Sequence, residues 1–153
     1  MKNKTFTGYH IFPQHNMVII VYQGKISNND ILKCIEAQYA DKTLSSIPNR
    51  LIDFRNASID LKNDNINITR EVKRIRHKLN EHQPNNSKEA ILVSKPGETA
   101  YFYLYLETSR KSGKTVKCFS TLDAALHFLD IQLPDDEKDS LTENMTQIQN
   151  GYT

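Results

Sequence analysis

The chain of 153 residues has no tryptophan, five glycines, five prolines and two cysteines. Cys34 and Cys118 lie far apart and form no Cys-x-x-Cys pair, which argues against a disulfide scaffold and suits buried thiols in a reducing compartment. The glycines are scattered at positions 8, 24, 97, 113 and 151, so no glycine-rich phosphate loop of the P-loop or dinucleotide-binding type can be drawn. A Gly-x-Ser-x-Gly nucleophile elbow and a local cysteine-protease signature are also missing. The longest apolar run, Ala100 to Leu106, falls well short of the roughly 20 residues that a membrane-spanning helix requires. Thr5 to His10 is too polar for the hydrophobic region of a secretory signal, so the expected compartment is the cytoplasm. No charge of one sign prevails, since the formal net charge is +2, and bulk electrostatics recruits neither nucleic acid nor membrane.

Metal and cofactor chemistry have little to build on. No two of His10, His15, His77, His82 and His127 have the i, i+4 spacing that aims two imidazoles at one ion, so neither a metal nor a cofactor is expected. His77 and Glu81 share a helix face but read as a solvated pair. An enzyme is not expected, although a hydrolase with a dispersed triad stays open as a third reading.

What is present is a succession of short apolar elements. Thr7 to Phe12 and Met17 to Tyr22, joined by Pro13-Gln14-His15-Asn16, predict an antiparallel hairpin. The second run is apolar throughout, as in a strand covered on both faces. Ser27-Asn28-Asn29-Asp30 has capping-box spacing and starts a helix to about Asp41, with Ile31, Ile35 and Tyr39 on one stripe. Arg50 to Phe54 predicts a third strand, followed by a polar connection. Ile68, Val72, Ile75 and Leu79 then place a helix between about Lys62 and His82. Glu89 to Ser94 and Val116 to Phe119 read as strands, the latter at an edge. Thr121 caps a helix with Leu122, Ala125, Leu126 and Leu129 on one face. Tyr101, Tyr103 and Tyr105 alternate as in a strand, yet the Pro96-Gly97 break, Glu98 and Thr99 at the start, and Gly113 past the end favour a helix over Ala100 to Arg110.

The expected fold class is therefore α/β, a central mixed five-stranded sheet flanked by about four helices in the order ββαβαβαβα. It forms one domain over residues 1–133, followed by a polar acidic tail over 134–153. From Asp130 to Glu143 six acids meet one base, a local charge of −5, and no periodic apolar face follows Pro134, so this end is expected as a mobile tail or a loosely docked helix.

This order of elements resembles the STAS domains, the class shared by sulfate-transporter tails and anti-sigma-factor antagonists, and most closely their small stand-alone bacterial relatives. The resemblance spans about Thr7 to Leu129. It is carried by Val21-Tyr22-Gln23-Gly24-Lys25-Ile26-Ser27 entering the first helix, by Leu51-Ile52-Asp53-Phe54-Arg55, and by Phe119-Ser120-Thr121-Leu122-Asp123-Ala124-Ala125-Leu126. Antagonists of this class carry Asp-Ser-Ser-Gly at the start of the second main helix, where phosphorylation of a serine abolishes partner binding. Counted from the strand at Leu51, the motif falls on Asp60-Leu61-Lys62-Asn63, in which both serines are missing. A lysine cannot accept a phosphoryl group, so that switch is not expected at Lys62; Ser58 nearby reads as a turn residue or a displaced phosphosite.

The resemblance implies a non-enzymatic regulatory or protein-interaction module with a protein partner. Its expected surface comprises Asn56, Ser58, Asp60, Lys62 and Asn63. Arg70, Lys73, Arg74, Arg76, His77 and Lys78 read as a solvated helix face or a docking face for an acidic partner, and four aromatics on one helix leave some exposed. Tyr101, Tyr105, Arg70 and Arg74 are thus interface candidates, with a homodimer among the options. Nucleic acid is not an expected partner, because no aromatics are interleaved with the bases. The alternative reading is a small-molecule or lipid-binding domain with an apolar pocket beneath the aromatic helix.

Overall fold

A computed structural model describes residues 5–42, 44, 47–60, 67–83, 86–94 and 99–149. Strand β1 (Phe6–Phe12) turns back through a 3-10 turn at Pro13–His15 into β2 (Met17–Ile26). The reversal is closed by Asn16 in the left-handed region at φ 50°, a conformation that asparagine tolerates better than most residues. Helix α1 (Asn28–Ala40) starts at Ser27, whose hydroxyl accepts from the Asp30 amide while the Asp30 carboxylate accepts from the Ser27 amide. This reciprocal cap satisfies two otherwise orphaned donors. Strand β3 (Asn49–Ile59), helix α2 (Ile68–Asn80), strand β4 (Lys88–Leu92), helix α3 (Thr99–Lys111), strand β5 (Thr115–Phe119), helix α4 (Leu122–Phe128) and helix α5 (Asp135–Gln149) follow.

The strands form one sheet in the order β1-β2-β3-β4-β5, antiparallel between β1 and β2 and parallel elsewhere. Pleating divides the strand side chains between two cores. Val18, Ile20 and Tyr22 of β2 and Ile52 and Phe54 of β3 meet α1, α2 and α3 on one face. Met17, Ile19 and Val21 of β2, Leu51 of β3 and Ala90 and Leu92 of β4 meet α4 and α5 on the other. Full burial of one such aliphatic or aromatic side chain contributes roughly 1.5–3 kcal/mol, so the two-sided strands β2 and β3 anchor the domain.

The expected order of elements holds, and α3 is helical as its flanking breaks require. Gly113 past its end has φ 78° and donates its amide to the Arg110 carbonyl, a helix stop that favours glycine. Pro96, Gly97 and Glu98 lie outside the described residues.

Three boundaries differ from expectation. The polar stretch after Phe54 is a continuation of β3, with Asn56 and Ser58 paired to Gln23 and Lys25 of β2, so Ser58 is a strand residue and not a loop serine. The ladder survives because β2 is equally long there, and the irregularity sets Tyr22 against both Phe54 and Arg55. Helix α2 begins at Ile68, not near Lys62, because the Asn67 side-chain carbonyl caps it by accepting from the Arg70 amide. Finally, the segment expected as a polar tail forms α5, which rests on β1 and β2 with Leu141 and Met145 buried. In the sequence Leu141, Met145 and Ile148 stand at i, i+4 and i+7, a stripe that is periodic but has three members in a helix of 15 residues.

Candidate functional site

Of the residues expected to bind a partner, three lie along one extended segment. Asn56 is exposed and Ser58 and Asp60 half-buried along β3, while Lys62 and Asn63 lie outside the described residues. Asp60 donates its amide to the Ile26 carbonyl, extending the strand ladder; it does not open a helix. Arg70 and Arg74 are exposed on the outer side of α2, where Arg74 faces Glu71 at 3.5 Å.

Tyr101 and Tyr105 are not surface residues. Both are buried together with Phe102, and Tyr103 alone of that group is exposed, at 62%. At about 100° per residue, positions 101, 102 and 105 share one side of α3 and position 103 faces away. Their burial is completed within the chain, so they are withdrawn as interface candidates.

Arg76 also departs from expectation. It is 2% exposed, not part of the solvated α2 face, and it enters a polar network under α2 and α3. At the centre is Glu89, the second residue of β4, paired in register with Arg50, the second residue of β3. One Glu89 oxygen accepts from Arg50 Nη1 and from Gln83 Nε2 at 2.7 Å. The other accepts from Arg76 Nη2 and from the Tyr105 hydroxyl at 2.9 Å. Arg76 additionally donates to Tyr105 Oη at 2.7 Å, to Ser109 Oγ at 3.0 Å and to Gln83 Oε1 at 3.0 Å. Arg50 Nη2 donates to Gln38 Oε1 of α1 at 3.3 Å. Helices α2 and α3 therefore reach the carboxylate directly, through Arg76 and Tyr105, and α1 reaches it through Arg50.

Electrostatics keeps the three groups ionised. Burial pushes the Glu89 carboxyl up, but the Arg76 and Arg50 guanidiniums, aided by the hydrogen bonds from Arg76 and Gln83, outweigh it and hold the group down at about 2. Burial disfavours the charged form of both arginines, yet Glu89 for Arg50, and Tyr105 with Glu89 for Arg76, raise them above the ordinary guanidinium range. Burial likewise raises the Tyr101 and Tyr105 hydroxyls, which remain protonated donors. Tyr101 gives its proton to Asn28 Oδ1 at 3.0 Å.

Against this network lies an apolar cavity of about 40 Å³ between the sheet and the three helices. Ile31, Ile35, Ile52, Phe54, Phe102 and Tyr105 are among its walls, and Arg50 bounds it too. Within the network one polar atom is left over. Arg50 Nε is buried without a hydrogen-bond partner, although Arg50 itself is only 3% exposed.

The sequence itself carries a signal for this site. Val72, Ile75, Arg76 and Leu79 follow the i, i+3, i+4, i+7 spacing of a core-facing helix, so Arg76 stands where an apolar residue belongs. Arg50 and Glu89 each lead directly into an apolar strand run. Among the described residues no group of three His, Cys, Asp or Glu could hold a metal ion, and no helix is long and apolar enough to cross a membrane.

No family model matches the chain, and no curated protein matches it. A solved structure does: an uncharacterised protein of the DUF3478 family with a SpoIIAA-like fold from Shewanella loihica PV-4, 15% identical, covering 83% of this chain and 94% of that one with a TM-score of 0.52. At that identity the likeness speaks for the backbone and not for the site. The order ββαβαβαβα and the five-stranded mixed sheet are those of the SpoIIAA-like, STAS-type fold.

Proposed function

We propose that this chain is a non-enzymatic binding domain whose site is the apolar cavity beneath α3. The observation that carries the reading is the inward turn of Tyr101, Phe102 and Tyr105, which pack into the core and line the void within it. A volume of about 40 Å³ corresponds to about three water-sized spheres, the calibre of a short alkyl chain. The site holds no nucleophile beside a general base, and its carboxylate is fully engaged by four donors, which leaves no proton acceptor poised for catalysis. Titration with straight-chain alcohols, followed by amide chemical shifts, tests the assignment. Saturable shifts centred on Ile35, Ile52 and Phe102 are expected, and they should vanish in Ile91→Phe, where a larger side chain fills the void that Ile91 of β4 also lines. Shifts that never saturate, or that centre on exposed Tyr103, would refute the reading.

A second reading, a regulatory module that docks a protein partner, is favoured by the row of exposed cations Arg70, Lys73 and Arg74 on α2. It fits an acidic partner surface. Retention of an acidic partner by wild type but not by an Arg70→Glu/Arg74→Glu variant with an unaltered cavity is its test.

A further inference from the structure

We infer that the cavity takes a short aliphatic carboxylate, with its apolar chain against α3 and its anionic head on Arg50. This inference rests on the cavity reading above and names the ligand class. Its first support is a charge count: the buried network sets two guanidiniums against one carboxylate, so one positive charge is left without a counter-ion among its members. A buried excess cation is costly in a low-dielectric surround, and an incoming anion relieves it.

The second support is the unmatched donor. Arg50 Nη1 and Nη2 are committed to Glu89 and Gln38, while Nε has no partner. Glu89 cannot serve it further, because its two oxygens already accept four bonds, the usual capacity of a carboxylate. Arg50 belongs to the cavity wall, and the rest of that wall is almost wholly hydrocarbon and aromatic.

Size is the third. A void of about 40 Å³ admits a short unbranched chain better than a ring system. The same electrostatics excludes an alkylammonium head, and an alcohol offers Arg50 an acceptor without the compensating charge.

The experiment compares propionate, 1-propanol and propylamine at neutral pH by calorimetry on the full chain. In wild type propionate should bind at least about tenfold more tightly than propanol, opposite to the order that a purely apolar cavity imposes on a carboxylate. Propylamine should not bind. In Arg50→Met, which leaves Glu89 and Arg76 as a balanced pair, the preference should reverse in favour of propanol. Should that variant fail to fold by circular dichroism, the Arg50 Nε–Hε resonance in wild type decides, since propionate must shift it and propanol must shift it less. Saturable binding of propanol equal to or tighter than propionate in wild type overturns the carboxylate assignment and leaves the cavity reading standing. Saturable binding of none of the three overturns both.

Discussion

The two faces of the sheet are packed on different principles. Under α4 and α5 the core is built from Met17, Ile19, Val21, Leu51, Leu92, Leu126 and their neighbours, and the buried charge beside them, Asp53, is paired with the partly exposed Arg55 two residues on. Under α1, α2 and α3 an equally buried core includes Arg50, Arg76 and Glu89 and leaves a cavity beside them. Both faces derive from the same strands, since alternate residues of β2, β3 and β4 supply each. The contrast teaches where to look for a site: one face pairs its buried carboxylate with an arginine that still reaches water, whereas the other holds two guanidiniums and a carboxylate out of water together.

Removing the central anion should widen that contrast most. Glu89→Leu leaves two buried guanidiniums facing each other and should cost about 3–5 kcal/mol of stability, read from the urea midpoint. A loss below about 1 kcal/mol would mean that water reaches the arginines and that the two faces are not so different.

Acid should act on the same face more gently. Glu89 has its folded-state value depressed from 4.5 to about 2 by the two arginines against the opposing effect of burial. A depressed carboxylate contributes stability that is present above about pH 4.5 and is lost as the pH falls toward about 2. The loss should reach about 3 kcal/mol, and Glu89→Gln should lack this acid limb. Urea midpoints taken at intervals from pH 7 to pH 2.5 would measure it.

The smallest expected effect lies on the apolar face. Truncation after Leu133 removes α5 and the burial of Leu141 and Met145, offset by the chain entropy regained. A loss of about 2 kcal/mol is expected, a fall in Tm of roughly 4–8 °C. An unchanged Tm would restore the picture of a tail that adds nothing.

Elements whose signals are local were legible in the sequence. The Ser27 capping box, the Thr121 cap, the breaks around the aromatic helix and the uninterrupted apolar strands each follow from contacts within a few residues. What escaped depends on partners distant in the chain. Asn56 and Ser58 are strand residues because β2 extends alongside them, and Leu141 and Met145 are buried because β1 and β2 offer a surface. The charge of Arg76 argues for the outer face of α2, whereas its position in the repeat matches Val72 and Leu79 on the inner one. The neutralising Glu89 lies in another element, and only tertiary structure brings the two together.

Pairing Arg50 with Glu89 across β3 and β4 also has a consequence for how the chain threads itself. Parallel strands rich in Ile, Leu and Ala can slide by one position and still present apolar side chains to both layers. Here such a slide would turn Glu89 toward Leu51 and Leu126, strand Arg50 and Arg76 without an anion, and break the contacts from Gln83 and Tyr105 in one step. The carboxylate thus works as a registration pin, and a misaligned compact state is penalised by its electrostatics even where its hydrophobic packing would pass.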